Sequence, residues 1–255
     1  WVFQYALIDE SGRHSLADLR SLQDWFLRYQ LTAVPGVAEV ASLGGFVRQY
    51  QVNVDPNRLQ SYNIPIKRVA DAVPLARALV KGGLPVLEIT LRTSAAIESI
   101  RAIMAEVKGA IVGVGTVITP AQMSDMDKLG CAFAVSPGSS PKLLQAAKDI
   151  KMPLLPGGVT ASEGMNLLEQ GYSFQKFFPA EPAGGAAYLA SLAQPLPQIR
   201  FCPTGGITLE SAPKYLKLAN VITVGGSWMV PKKLIEEGDW AGIEALAREA
   251  SSLNS

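Results

Sequence analysis

Residues 85–115 read PVLEITLRTSAAIESIRAIMAEVKGAIVGVG. Pro85–Leu91 and Ala110–Gly115 are short apolar runs of strand length, and Ser94–Val107 between them follows a helical pattern. A strand, a helix and a second strand in so short a span predict a parallel βαβ unit. The rhythm continues outward at intervals of roughly 20–25 residues. Further strands are expected at Ala132–Ser136, Pro153–Pro156, Phe174–Pro179, Gln198–Thr204 and Val221–Gly225, with helices at Val69–Val80, Pro120–Leu129 and Pro141–Asp149. About seven such units joined by short Gly/Pro loops predict an α/β fold, a (β/α)8 TIM barrel rather than an open sheet. Its first strand is short or incomplete, because only Ile64-Pro65-Ile66 precedes the Val69 helix.

Residues 1–62 follow another pattern. Val2–Ile8 alternates like a strand, and Ser15 and Asp18 open a helix in the manner of a capping box. Leu16, Leu19, Leu22, Trp25, Phe26 and Tyr29 recur at helical spacing. After Pro35-Gly36, Ala38–Leu43 and Phe46–Val54 read as two strands joined at Gly44-Gly45. This is a small α+β segment of split β-α-β type with its aromatics in the core. The division expected is therefore 1–62 and 63–255.

The composition narrows the function. The chain has 255 residues, 48% apolar and 18% charged, with a formal net charge of +1. A near-neutral balance gives no reason to expect nucleic acid or an anionic membrane as partner. No apolar run reaches about 18 residues, so no transmembrane helix is expected. The chain begins at Trp1 without a signal peptide and reads as a cut end. Two separated cysteines, Cys131 and Cys202, do not make a disulfide framework and point to a reducing, cytoplasmic setting. The one histidine, His14, sits in the polar turn SGRHS. No histidine-based metal site, triad or Cys-His pair is then available to residues 63–255, and no metal is expected.

In a barrel the chemistry sits at the carboxyl ends of the strands. Side chains alternate faces along a strand, so Phe174, Lys176 and Phe178 share one. A lysine between phenylalanine rings is desolvated, which favours the neutral nucleophilic amine; a lysine reaching out to solvent or a structural ion pair fits the same pattern. Glu88, Thr90 and Arg92 share a face of the early strand, and a glutamate amid Leu and Ile needs a partner if buried. In a closed barrel Glu88 and Lys176 point into one lumen. The last two strands end in Pro203-Thr204-Gly205-Gly206 and Val224-Gly225-Gly226-Ser227. Paired glycines let backbone amides approach an anion, and phosphate sites in barrels often follow strands seven and eight. Pro156-Gly157-Gly158 more simply serves a tight turn.

Two resemblances are carried by these residues. LEITLRT (87–93), VGVGTV (112–117), AVSPG (134–138), KFFPAE (176–181), RFCPTGGI (200–207) and VGGSWMVP (224–231) resemble, in order and spacing, the 2-keto-3-deoxy-6-phosphogluconate (KDPG) and 4-hydroxy-2-oxoglutarate (KHG) aldolases. The resemblance implies a class I aldolase on a (β/α)8 barrel, a homotrimer, with no cofactor or metal and a phosphorylated 2-keto acid as substrate. It implies Lys176 as the Schiff-base lysine and Glu88 as the general acid/base. Arg92 and Thr116 would hold the substrate carboxylate, Pro137 and Phe178 would wall the pocket, and Thr204, Gly205, Gly206, Gly226 and Ser227 would bind at the phosphate end. FQYALID (3–9), LADLRSLQDWFL (16–27), VPGVAEVASLGG (34–45) and YQVNVDPNRLQSYNI (50–64) resemble instead the periplasmic porter domain of heavy-metal efflux pumps of the resistance-nodulation-division family. The two patterns meet inside the expected first strand. Either Ile64–Ile66 pairs there, or a strand from residues 1–54 substitutes, or the chain is an inactive chimera.

Overall fold

The computed structural model describes residues 51–54, 70–92 and 94–254, together with Ile8, Leu19, Leu22, Gln23, Leu27 and Leu31. The chain divides into two compact units, Trp1–Gln49 and Tyr50–Ser255. In the first, Leu19, Leu22 and Leu31 are helical. The strands expected at Val2–Ile8 and Ala38–Leu43, the stunted strand at Ile64–Ile66 and the turn of His14 lie outside the described residues, Ile8 excepted.

The second unit is a parallel barrel. Its elements run β1 (Gln51–Val54), α1 (Ala72–Lys81), β2 (Val86–Thr90), α2 (Ala96–Glu106), β3 (Ile111–Gly115), α3 (Pro120–Leu129), β4 (Ala134–Val135) and α4 (Pro141–Lys148). They continue with β5 (Leu154–Leu155), α5 (Ala161–Glu169), β6 (Phe174–Phe177), α6 (Gly185–Leu192), β7 (Arg200–Pro203), α7 (Ala212–Leu216), β8 (Gly225–Gly226), α8 (Lys232–Glu237) and α9 (Trp240–Ser251). Six strands pair in the order β5-β4-β3-β2-β1-β8, and β6 pairs with β7. Single bridges Gly157–Lys176 and Thr204–Gly225 join β5 to β6 and β7 to β8, which closes the ring.

The first strand is the informative one. Val52, Asn53 and Val54 stand in register with Leu87, Glu88 and Ile89 of β2, and Gln51 and Val52 with Gly225 and Gly226 of β8. The strand that closes the barrel therefore comes from the porter-like stretch, as one of the three sequence readings allowed. A closed ring leaves neither β2 nor β8 with an unpaired edge.

Local sequence explains the helix ends. α3 starts at Thr119, whose hydroxyl accepts from the Gln122 N–H while the Gln122 side chain accepts from the Thr119 N–H, and it stops at Gly130 with φ +91°. α5 repeats the device with Thr160 and Glu163. Hydrogen bonds from the Thr160 and Val159 amides hold the Glu163 carboxyl below its ordinary pKa. The expected last strand, Val221–Gly225, is found displaced: Val221 makes only a bridge to Phe201, and Gly225–Gly226 do the pairing.

Two apolar clusters wrap the barrel. The larger includes Leu87 and Ile89 from β2, Val112 and Val114 from β3, and Leu79, Ile100 and Ile103 from the helices outside. The smaller gathers Phe177, Leu189, Phe201 and Tyr215, with the Phe177 and Phe201 rings edge-to-face at 6.2 Å. Because Leu87 and Ile89 face the helices, alternation turns Glu88 and Thr90 into the lumen. A five-residue strand buried along its whole length, with a carboxylate inside, is what positions the site.

Candidate active site

Lys176 Nζ donates to Glu88 Oε1 at 3.3 Å, with the two side chains 6% and 0% exposed. The pair bridges the ring from β6 to β2. The backbone of Lys176 is fixed on both sides: its N–H donates to Pro156 O at 2.8 Å and its carbonyl accepts from Gly158 N–H at 2.9 Å. Its ammonium also stands 5.3 Å from the centroid of the Phe178 ring, within cation–π range.

Burial raises the Glu88 pKa above the usual carboxylate range, outweighing the opposing attraction of Lys176 and Arg92. Arg92 follows β2 and is exposed at the mouth. A site with a buried lysine, a buried carboxyl that titrates high and a cation at the entrance can move protons and form a covalent amine adduct. Cys202, in register with Lys176 on β7, is buried beside them. Its thiol is pushed up to about 12 by burial, so it is a poor nucleophile there.

Space for Glu88 is made by Gly115. A Cβ on that residue would fall on Glu88 Oε1 and lie 2.7 and 2.8 Å from Cδ and Cγ. Thr116, next in the chain, has φ +60° and is the one non-glycine residue with positive φ among the described residues. Backbone strain of that kind clusters at functional sites. Leu91 N–H donates to Gly115 O at 2.8 Å, which ties the chain leading to Arg92 to the chain leading to Thr116. Pro137, half-buried after β4, has its carbonyl packed against Gly157.

The two glycine turns meet. Thr204 bridges Gly225 in parallel fashion, so Gly205–Gly206 and Gly226–Ser227 leave neighbouring strands side by side. Gly205 and Gly206 have φ +100° and +83°, which excludes other residues without strain. The Phe178 ring packs on Gly205, 3.0 Å from where a Cβ would stand, and the Trp228 ring covers Gly226. Among the described residues the buried Thr204 hydroxyl has no hydrogen-bond partner, which leaves its polar capacity unused in the protein.

The structure thus sets Lys176 against both Glu88 and the Phe178 ring, places Arg92 in the field of Glu88, and gathers Thr204, Gly205, Gly206, Gly226 and Ser227 at one end. Thr116 and Pro137 lie on the same mouth, at the ends of β3 and β4. Sequence reasoning missed Gly115, although a glycine inside a strand is a signal of close approach. It also missed the pairing of Tyr215 with Glu181, which nothing local announces.

Residues 62–246 match the sequence profile of the KDPG and KHG aldolase family. Residues 1–120 match that of the AcrB/AcrD/AcrF family. The KHG/KDPG aldolase of Escherichia coli K12 is 49% identical over 187 residues, 73% of this chain and 88% of that protein. The Legionella pneumophila KDPG aldolase, solved with pyruvate captured as a covalent carbinolamine intermediate, superposes with a TM-score of 0.73 at 41% identity, covering 80% of this chain and 95% of that one. The Zymomonas mobilis ZM4 enzyme, solved with 3-phosphoglycerate, gives 0.71 at 46% identity, covering 81% and 93%. Strand β1 lies outside the aldolase match and inside the AcrB/AcrD/AcrF one.

Proposed function

The chain belongs to the KDPG and KHG aldolase family, whose reaction is a Schiff-base aldol cleavage, and from that premise we propose that it splits 2-dehydro-3-deoxy-6-phosphogluconate into pyruvate and glyceraldehyde 3-phosphate through Lys176 and Glu88. The buried Lys176–Glu88 hydrogen bond is the observation on which this reading rests. Lys176 adds to the C2 carbonyl, and loss of water gives an iminium. The iminium accepts the electron pair of the C3–C4 bond as Glu88, through a water, takes the C4 hydroxyl proton and the aldehyde departs. Glu88 returns a proton to C3 of the enamine, and water releases pyruvate and the free amine. Arg92 and Thr116 hold the substrate carboxylate, Pro137 and Phe178 wall the pocket, and Thr204 with the two glycine turns takes the phosphate. Cleavage of 4-hydroxy-2-oxoglutarate to pyruvate and glyoxylate uses the same steps without the phosphate contacts.

A homotrimer and a cytoplasmic setting belong to the same proposal. The exposed side chains of Ile97, Ile118 and Met165 offer apolar surface for assembly, and both cysteines are free thiols. Among the described residues no helix is long and apolar enough to cross a membrane. We also take residues 1–62 as foreign to the enzyme's lineage, a reading supported by the start of the aldolase match at residue 62.

Pyruvate trapping tests the function. Borohydride reduction in the presence of pyruvate is expected to leave an adduct on the peptide bearing Lys176. A folded, soluble sample that gives no adduct would instead support an inactive chimera. The pH profile supplies a second check. Glu88 must be ionised to take the C4 proton, and its pKa is raised. The acid limb of kcat/KM is therefore expected at higher pH than for an ordinary glutamate. Glu88→Gln should remove that limb and lower kcat by about 10²–10⁴-fold; a limb that persists in the variant would assign it to another group. Gly115→Ala is expected to push the Glu88 carboxyl off Lys176 and cost about 10²-fold in kcat. Full activity in that variant would show that the carboxyl needs no such notch.

A further inference from the structure

We propose that Glu181, held by Tyr215, is a positioning residue that aims the backbone amides of the Gly205–Gly206 turn, and so sets the grip on a phosphorylated substrate; this rests on the reading that the turn takes the phosphate. Two consecutive glycines at positive φ form a turn whose peptide planes have little intrinsic preference for one orientation. Something outside the turn has to fix them.

Residues 180 and 181 do so from the neighbouring strand end. Ala180 N–H donates to Thr204 O at 2.8 Å, and Glu181 N–H donates to Gly205 O at 3.1 Å. In a trans peptide the N–H points opposite to the carbonyl of the preceding residue. Engaging the Thr204 and Gly205 carbonyls therefore turns the Gly205 and Gly206 N–H groups away from residues 180–181, the pair of donors an anion needs. The Glu181 stem completes the brace. Its Cβ and Cγ both lie 2.9 Å from where a Cβ of Gly206 would stand, so Gly206 rests on the glutamate.

The brace is anchored in the smaller core. Tyr215, on α7 and 1% exposed, donates its hydroxyl to Glu181 Oε1 at 2.9 Å. Burial, with the Glu181 hydrogen bond and charge beside it, raises the phenol pKa, so the hydroxyl stays a donor. A carboxylate near a phosphate turn would by charge alone oppose an anion. The phenol holds it with its stem against Gly206, the contact on which the brace depends.

The two substrates separate this role from a structural one, because only one of them has a phosphate. Tyr215→Phe, which keeps the ring in the core, is expected to raise KM for 2-dehydro-3-deoxy-6-phosphogluconate about threefold to tenfold with kcat unchanged, the effect of losing one ordinary hydrogen bond, since the glutamate that accepts it is exposed to solvent. Cleavage of 4-hydroxy-2-oxoglutarate should be unaffected. Glu181→Ala, which loses the stem as well, should raise the same KM further, and Glu181→Gln, which keeps stem and acceptor, should stay near the parent. A parallel loss on both substrates, or no change on either, overturns the proposal. So does a Glu181→Gln variant that binds the phosphorylated acid more tightly, since charge would then be the residue's effect. Inorganic phosphate is the control on the underlying reading. If it fails to compete with the phosphorylated acid in the parent protein, the turn is not the phosphate site and the brace falls with it; competition with unchanged variants overturns the brace alone.

Discussion

Lys176→Met is expected to abolish turnover, by at least about 10⁴-fold, as loss of a covalent nucleophile does elsewhere. Among the described residues no neighbour can stand in for it. Cys202 lies beside it but has a thiol held protonated, and Glu88 can take a proton but has no amine to form an iminium. Turnover above about a hundredth of the parent rate would remove Lys176 from the Schiff-base role. The same change has a stability signature with a definite sign. It leaves Glu88 buried with no ammonium at 3.3 Å, and its pKa, raised already, rises further. A carboxyl whose folded pKa is raised lends its stability below the unfolded value, near 4.5, and loses it as pH climbs through the folded one. The melting-temperature deficit of Lys176→Met should therefore be small in acid and grow toward neutral pH. A deficit independent of pH would mean that the carboxyl finds another partner.

Removing residues 1–62 is expected to leave the rest of the chain insoluble, whereas removing 1–49 should leave a folded barrel. The first deletion takes away β1 and frees the edges of β2 and β8 together. The backbone groups on β2 that face β1 lie in a buried strand, and each left without a partner costs about 1–3 kcal/mol. Several such losses approach the whole stability of a domain. The second deletion keeps β1 within the compact unit that starts at Tyr50. Circular dichroism and pyruvate trapping on both truncated chains provide the comparison. A folded 63–255 chain that traps pyruvate would show that Ile64–Ile66 can act as the first strand.

How much of this was legible depended on range. The 85–115 unit was readable because strand length and helical periodicity are local, and α3 was readable to the residue because Pro120 and Gly130 punctuate it. The lumenal pair followed from alternation along β2 and β6. β8 was only partly readable: Val221–Val224 has the composition of a strand, but there only Val221 bridges Phe201, and the pairing with β1 falls on Gly225–Gly226. Phe46–Val54 could be read as extended, yet its register against Leu87–Ile89 is decided by closure of the ring, which no local pattern records. Gly115 and the Tyr215–Glu181 brace likewise exist only once distant segments meet.

Strand β1 also says something about how such chains can arise. The proposed catalytic and binding groups hang from β2, β3, β4, β6, β7 and β8, and none from β1. At that station the barrel asks only for an extended backbone in the right register. A genetic crossover landing there trades one stave of the cask and leaves every tool inside it in place, so ancestry and chemistry can part company at a single strand.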